Sequence, residues 1–119
     1  GLAGHDSLTG SSGFDRIEGG FGDDVLVGNA GNDHLFGDVG RDRILGGAGD
    51  DYIDGGAGDD LLVSGRGRGR ILAGPGDDHI DARLGVKTTV YCGDGADTVR
   101  ANRSTRIARD CERIQTAGP

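Results

Sequence analysis

The chain has little of what usually builds a protein core. It has no Trp and no Met, and only two Tyr and three Phe among its 119 residues. Leu, Ile, Val and Phe together number 26, barely above the share at which a charged chain is expected to be disordered. No segment approaches the roughly 20 apolar residues of a transmembrane helix, and no signal peptide is present, so we expect a soluble mature chain or an excised domain.

Positive charge is also scarce. The chain carries a net charge of −7, and residues 1–63 alone contain 13 acidic and 3 basic side chains. This acidity argues against nucleic acid or an anionic membrane as a partner, and we expect no membrane insertion. Nearly all of the acid is Asp, with 18 Asp against 2 Glu, and the chain contains 26 Gly, whose backbone is the most costly to order.

What the chain does contain is a nine-residue motif, repeated nine times without a gap from Gly1 to Asp81. When residues are numbered by their place within each block, the fourth is Gly in all nine blocks, and the eighth is always Leu or Ile. The sixth is Asp in eight blocks, with Gly69 the one lapse. These aspartates are Asp6, Asp15, Asp24, Asp33, Asp42, Asp51, Asp60 and Asp78.

Each constant place has a physical reason. A Gly-rich half-repeat is a tight turn with exposed carbonyl groups, because Gly adopts positive φ and allows close approach. The aliphatic eighth place, flanked by variable side chains, predicts a very short strand with one residue facing inward. One such strand buries nothing alone, but stacked copies pool their aliphatic residues into a continuous core. The Asp adds a hard anionic oxygen to each turn, which is what calcium prefers.

The blocks resemble the nonapeptides of RTX, or haemolysin-type, calcium-binding proteins, whose pattern is G-G-x-G-x-D-x-U-x. The resemblance covers residues 1–81 and implies an all-β fold, a right-handed parallel β-roll (β-solenoid) with two repeats per turn. Calcium would be held between successive loops, by the eight sixth-place aspartates and by Asp97 further on. Odd-numbered blocks would form one sheet and even-numbered blocks the other.

Aspartates stacked at strand spacing, roughly 4.8 Å, repel one another unless a cation lies between them. The chain should therefore fold poorly without metal, and calcium should act as part of the core. Counting gaps between neighbouring aspartates predicts four ions on the odd edge and two on the even edge, about six Ca²⁺ in all. Another ion between Asp78 and Asp97 is a further possibility.

Block eight, Ser64 to Leu72, breaks the pattern because Gly69 replaces the Asp and three arginines enter. Read alone, RGRGR resembles a disordered segment that binds nucleic acid. The spacing of Gly65, Gly67 and Ile71 favours a second interpretation, a roll block that has lost its calcium site. On this hypothesis a guanidinium beside Asp51 replaces part of the missing positive charge.

Residues 82–119 are predicted to be degenerate repeats that end in a C-terminal cap, since a solenoid needs an atypical element over its last rung. Gly93, Gly95, Asp97 and Val99 restore the motif with a shift of one residue. The ending, with Cys92 to Asp97 and Asp110 to Ile114, is similar to the C-termini of secreted RTX-like proteins of actinobacteria. At about the places where the family usually has aspartates, this chain has Asn102 and Thr105, so no extra ion site is expected in the tail.

The two cysteines favour a disulfide between Cys92 and Cys111, because an even pair in an extracellular, calcium-dependent chain is normally oxidised. On the chain-entropy estimate such a bond stabilises by about 3 kcal/mol. The alternative is two reduced thiols in a cytosolic protein, where calcium is too scarce for weak sites. A zinc site is less favoured, since no His lies near both cysteines in sequence.

Catalysis is not indicated. His5, His34 and His79 fall at places that vary between blocks, and we predict that the last two lie on opposite sheets. No Ser or Cys nucleophile elbow accompanies them. RTX arrays often accompany enzymes, but a catalytic domain would be a separate one. We therefore predict that the chain is not an enzyme.

Two functions remain at this stage. The first is a secreted calcium-binding module whose role is structural, folding when it meets extracellular calcium. The second is a self-associating structural protein, whose uncapped N-terminal rung lets copies join head to tail into fibres or a matrix. Lateral contacts would come from an outward aliphatic face, consisting of Val25, Val27, Leu45, Leu61 and Val63. An ice-binding role is weaker, because no outward column repeats Thr.

Overall fold

The computed structural model describes residues 4–84, 86–102, 104–108, 110–111 and 113–116, with the side chains of 115 and 116 left aside. The start of block one, at Gly1, lies outside these residues. The described chain is all-β, and no helix in it is long and apolar enough to cross a membrane. Its strands are β1 (Ser7–Thr9), β2 (Arg16–Glu18), β3 (Val25–Val27), β4 (His34–Phe36), β5 (Arg43–Leu45), β6 (Tyr52–Asp54), β7 (Leu61–Val63), β8 (Arg70–Leu72), β9 (His79–Asp81), β10 (Thr89–Tyr91), β11 (Thr98–Ala101), β12 (Arg106–Ile107) and β13 (Arg113–Thr116).

The strands form two parallel sheets, one of odd-numbered strands and one of even-numbered strands. One sheet has the order β1-β3-β5-β7-β9-β11-β13, and the other β12-β10-β8-β6-β4-β2. Every pairing is parallel, and successive strands of the chain alternate between the sheets. Two blocks therefore make one turn, which confirms the predicted β-roll. We call the loops of odd-numbered blocks the odd edge and those of even-numbered blocks the even edge.

The core is built mainly from the aliphatic side chains at the eighth place of the motif. Register steps by 18 residues, so Leu26 pairs with Leu8 on one side and Ile44 on the other. Within each three-residue strand only the middle side chain turns inward, because alternate residues of a strand face opposite sides. The buried aliphatic residues of both sheets meet in one continuous core, which contains Leu26, Leu35, Ile44, Ile53, Leu62, Ile71, Ile80, Val90 and Val99.

The outer faces of the two sheets differ in chemistry. The seven-stranded sheet shows the predicted aliphatic residues, with Leu45 and Leu61 each 40% exposed and the three valines half-buried. The six-stranded sheet is aromatic, with the rings of Phe36 and Tyr52 centred 5.9 Å apart. His34 lies on this second sheet and His79 on the first, as predicted.

Beyond residue 81 the same two sheets continue, with altered spacing. Thr98 pairs with His79, a step of 19 residues instead of 18, which confirms the predicted shift of one. Cys92 and Cys111 form the predicted disulfide, with their Cα atoms 5.1 Å apart. The Asp110 carboxylate accepts a hydrogen bond from the backbone N–H of Gly93 at 2.8 Å. The division between a roll (1–81) and a cap (82–119) stays a prediction, because strand pairing crosses it without interruption.

Candidate metal centre

Glycine at the fourth place of the motif lets the loops stack. Gly58 has φ +115°, and a Cβ added there would overlap the carbonyl group of Gly40 in the preceding turn. Both the positive φ and the close approach exclude other residues. At the second place the backbone is also left-handed, and there Asn29 (φ 67°) and Asp38 (φ 66°) join the glycines. Asn and Asp are the side chains that tolerate this conformation best.

These loops turn the sixth-place aspartates into the molecule. Asp24, Asp33, Asp42, Asp60 and Asp78 are at most 1% exposed, and Asp51 is 3% exposed. In each case Oδ1 accepts a hydrogen bond from the backbone N–H of the aspartate one turn earlier, at 2.8 to 2.9 Å. Asp97 does the same for the N–H of Asp78 at 2.8 Å, so it continues the odd-edge column. The columns therefore link each turn to the next.

The second carboxylate oxygen of these aspartates is buried and has no hydrogen-bond partner. This holds for Oδ2 of seven residues, Asp6, Asp24, Asp33, Asp42, Asp51, Asp60 and Asp78. Asp15 differs, because its Oδ2 accepts a hydrogen bond from the backbone N–H of Ser11 at 2.7 Å. A buried polar atom without a partner is costly. Seven in a repeated arrangement point to a missing ligand common to both edges.

Wherever the first-place glycine is described, Oδ2 of the aspartate in its block faces a backbone carbonyl oxygen across that glycine, whereas Asp78 has Ala73 at its first place. A Cβ added to Gly19 would lie 2.7 Å from Asp24 Oδ2 and 2.8 Å from the carbonyl oxygen of Gly37, one turn on. We call this arrangement an oxygen cradle. Six cradles are described, three on each edge, at Gly10, Gly19, Gly28, Gly37, Gly46 and Gly55. The cradle of Gly1 lies outside the described residues.

Burial and mutual repulsion oppose ionisation of the columns. Desolvation, aided by the neighbouring carboxylates, raises the pKa of Asp42 to about 6 and that of Asp51 to about 7. The same causes raise the pKa of Asp60 and of Asp78 to about 8. The ion pairs found in the described part of the chain, Arg16–Glu18 and Arg83–Asp81, lie outside the columns. A cation from solution would therefore favour the ionised form of these four carboxylates.

Comparison with known proteins agrees with this geometry. The model of the RTX calcium-binding nonapeptide repeat matches residues 1–35 and 36–71. The chain belongs to this RTX family. A search of curated proteins gives no significant match. The RTX repeat binds calcium, so the chain is a calcium-binding structural repeat module, of a type that is not catalytic.

The residues present fit the ion that the RTX family implies. Calcium takes six to eight oxygen ligands from carboxylates and backbone carbonyls. Each cradle offers one oxygen of each kind, and both atoms point at the space beside a glycine that carries no side chain. A soft metal would favour imidazole or thiolate, which the cradles lack. That the sixth-place aspartates and Asp97 are the calcium ligands stays a prediction.

The prediction for block eight is wrong in one part. Arg66, Arg68 and Arg70 are exposed, and no guanidinium among them pairs with Asp51. These arginines hold the third, fifth and seventh places, which face away from the sixth-place column. Block eight is nevertheless part of the RTX solenoid, since β8 pairs with β6 and β10. Block eight is therefore not a disordered segment.

A second set of hydrogen bonds, at the fifth place, was missed from the sequence. Asp23 Oδ1 accepts from the backbone N–H of Arg41, one turn later, at 2.8 Å. Here the acceptor lies in the earlier turn and the donor in the later one, whereas in the sixth-place column the acceptor lies in the later turn. Similar bonds are accepted by His5, Asn32, Asp50, Asp59 and Asp77. The signal was present in the sequence, because six of the nine fifth places hold Asp, Asn or His.

The tail contains a cluster that resembles a metal site without acting as one. Ligand atoms of Cys92, Asp110 and Cys111 lie within 4.8 Å of one another. The two sulfur atoms are joined to each other, and the Asp110 carboxylate accepts the N–H groups of Cys92 and Gly93. Asn102 Oδ1 likewise accepts hydrogen bonds from Ser104. The tail is thus joined by the predicted disulfide and by these hydrogen bonds, and the expectation of no ion site there stays a prediction.

Proposed function

We propose that the chain is a secreted module that folds when it binds extracellular calcium. The observation that carries this proposal is the set of seven buried, unpartnered Oδ2 atoms, in columns that no cationic side chain of the described residues neutralises. Such columns are unfavourable while ionised and empty, and become favourable once a divalent cation lies beside them. Calcium would thus be part of the core, and its binding free energy would be folding free energy.

The proposed ligands are the sixth-place aspartates and the first-place carbonyl oxygens. Asp6, Asp24, Asp42, Asp60, Asp78 and Asp97 would serve the odd edge, and Asp15, Asp33 and Asp51 the even edge. The predicted count of about six ions places four on the odd edge and two on the even edge, whereas the six cradles described lie three on each edge. When bound, calcium would supply charge neutralisation and cross-links between turns. Asp15 would hold its ion less tightly, because Ser11 already donates to its Oδ2.

Secretion is supported by two features. A disulfide between Cys92 and Cys111 persists in oxidising compartments and is rare in the cytosol. Extracellular modules also work at about 10⁻⁴ to 10⁻³ M calcium, far above cytosolic levels. In this proposal residues 1–81 are the calcium-dependent roll, and residues 82–119 close its last rung through the disulfide.

The test is folding against calcium concentration. Circular dichroism of protein stripped of metal should show a largely disordered chain, and millimolar calcium should restore β-structure. Magnesium at the same concentration is the control, because its demand for near-ideal octahedral geometry at short distances does not suit these loops. A spectrum unchanged by excess chelator would refute calcium-dependent folding.

Self-association is the second candidate function. The exposed Leu45 and Leu61, with the half-buried valines beside them, form an aliphatic strip that would contribute about 25 cal/mol per Å² on burial. Light scattering in saturating calcium tests it, with Leu61→Lys/Val63→Lys as the variant. Both side chains point away from the core, so this variant should weaken association while the roll stays folded. A wild-type chain that stays monomeric at high concentration would exclude this function.

A further inference from the structure

The even-edge column of aspartates ends at Asp51. One turn further on, the sixth place is Gly69, which has no carboxylate to offer. Asp51 is nevertheless 3% exposed, and its Oδ2 is buried without a partner. Its Oδ1 accepts the backbone N–H of Asp33 at 2.9 Å, as the other column members do. The orientation of the Asp51 side chain therefore does not depend on an aspartate in the next turn.

The cradle at Asp51 is complete. A Cβ added to Gly46 would lie 2.7 Å from Asp51 Oδ2 and 2.6 Å from the carbonyl oxygen of Ser64. At the corresponding place on the odd edge, a Cβ on Gly55 would lie 2.8 Å from Asp60 Oδ2 and 2.9 Å from the Ala73 carbonyl oxygen. Both oxygens of the cradle are thus present at Asp51, although counting pairs of aspartates assigns no ion there.

One turn after Asp51, the even-edge column has no aspartate and the loops around Gly69 are filled by other side chains. Ser64 and Thr88 are buried in the loops around Gly69, at 4% and 0% exposure. A Cβ added to Gly69 would have the Thr88 methyl group at 3.8 Å and Ser64 Cβ at 4.0 Å. The Ser64 side chain stands at a first place, where a glycine elsewhere leaves room for the aspartate Oδ2 of its own block. Block nine, with Ala73 and Asp78, shows that a methyl group at this place is tolerated.

We propose that Asp51 and the Ser64 carbonyl form a terminal calcium site with a single carboxylate, which binds calcium more weakly than the corresponding site at Asp60 on the odd edge. This inference rests on the proposed calcium function. Asp60 and Asp51 differ in the sixth-place residue of the next turn. Asp78 Oδ1 lies 2.8 Å from the N–H of Asp60, whereas Gly69 brings no charge to Asp51. Fewer anionic ligands mean lower calcium affinity. The ion at Asp51, next to the junction with the cap, would bind after the ion at Asp60 and leave before it.

The experiment compares Asp51→Asn with Asp60→Asn, counting bound ions by native mass spectrometry across a calcium titration. Asn keeps the Oδ1 acceptor and the volume of the side chain, so each column bond can persist. Circular dichroism at saturating calcium checks that the variants fold. We expect each variant to lose the ion of its own cradle, and the ion lost from Asp51→Asn to be one that binds at a higher calcium concentration than the ion lost from Asp60→Asn.

A gain-of-charge variant tests the single-carboxylate argument independently. Ser64→Gly/Gly69→Asp recreates in block eight the arrangement of Gly55 and Asp60, and Gly69 has no positive φ that would exclude Asp. The binding step of the ion at Asp51 should move to calcium concentrations lower by about tenfold or more. Ser64→Gly alone is the matched control and should leave that step in place.

The outcomes separate this inference from the proposed function. If Asp60→Asn loses an ion while Asp51→Asn keeps the wild-type count, no ion binds at Asp51, and the calcium function stands. If the wild-type chain binds no calcium, both proposals fail. If the binding step of the ion at Asp51 does not move in Ser64→Gly/Gly69→Asp, the single-carboxylate explanation is overturned. Should Asp51→Asn fail to fold, the gain-of-charge variant still decides.

Discussion

The backbone N–H of Asp60 donates a hydrogen bond to Oδ1 of Asp78, one full turn further along the solenoid, at 2.8 Å. One carboxylate thus has two separate tasks. Oδ1 of Asp78 binds the preceding turn through the backbone, while its Oδ2 is buried without a partner. At Asp60, where Oδ1 likewise accepts the N–H of Asp42, Oδ2 faces the Ala73 carbonyl oxygen in the cradle. Neighbouring turns are therefore coupled through the carboxylates that are the proposed calcium ligands, so we expect calcium binding and turn stacking to reinforce each other.

Acid should partly replace calcium in folding the chain. The pKa values of Asp42, Asp51, Asp60 and Asp78 are raised to about 6, 7, 8 and 8, from an ordinary value of 3.8. Because the folded chain holds these protons more tightly than the unfolded chain, their contribution is present below the ordinary value and is lost as pH rises through about 6 to 8. Metal-free protein should gain β-structure by circular dichroism as pH falls from about 9 to about 5.5. Identical spectra at both ends would contradict this.

Glycines at the same place of the motif should differ in their tolerance of substitution. Gly58→Ala puts a Cβ on a residue with φ +115° and onto the carbonyl group of Gly40, so we expect a loss of more than about 2 kcal/mol in the free energy of unfolding. At Gly13 nothing lies within 4 Å of the added atom, so Gly13→Ala should cost less than about 1 kcal/mol. Urea unfolding in saturating calcium measures both. Equal losses would disprove the stacking argument.

The fifth-place bonds should contribute modestly. Asp50→Ala removes the acceptor for the Arg68 N–H at 2.8 Å, and since both residues are exposed we expect a cost of about 1 kcal/mol. Arg41→Ala is the matched control, because the Arg41 side chain sits at the same place and has no acceptor to offer. Thermal unfolding in saturating calcium should separate the two variants by a few degrees. An unchanged midpoint for Asp50→Ala would show that solvent replaces the bond fully.

The sequence predicted the fold well because a strict period removes ambiguity. Because the eighth place is the one aliphatic place shared by every block of nine, Leu26 is expected to face the core, and its partners 18 residues away are then determined. The fifth-place bonds were hidden because Phe14, Arg41 and Arg68 interrupt them, and because their direction depends on how two loops stack. The guanidinium expected at Asp51 failed for a simpler reason, since Arg68 and Arg70 lie at places whose side chains face solvent.

Reduction should loosen the cap before the roll. Cys92 is buried in the core cluster and bonded to Cys111, and loss of this bond should cost about 3 kcal/mol. In saturating calcium, hydrogen exchange with and without reductant should rise first in residues 92–114, while the central strands keep their protection. Intact mass should show the oxidised form. Two thiols that react quickly in the untreated native protein would contradict the pairing.

Truncation of two adjacent leucines on β7 should lower the free energy of unfolding by very different amounts. Leu62 is fully buried and in contact with the core of both sheets, whereas Leu61 is 40% exposed on the outer face. Leu62→Ala should cost roughly 2 to 5 kcal/mol, because the stacked turns on either side prevent the cavity from collapsing. Leu61→Ala should cost less than about 1 kcal/mol. Urea unfolding at saturating calcium gives both values, and the calcium midpoint of folding should rise for Leu62→Ala alone, because ion binding must offset the lost packing. Similar losses for the two variants would mean that β7 does not present one face inward, and would contradict the two-sheet solenoid.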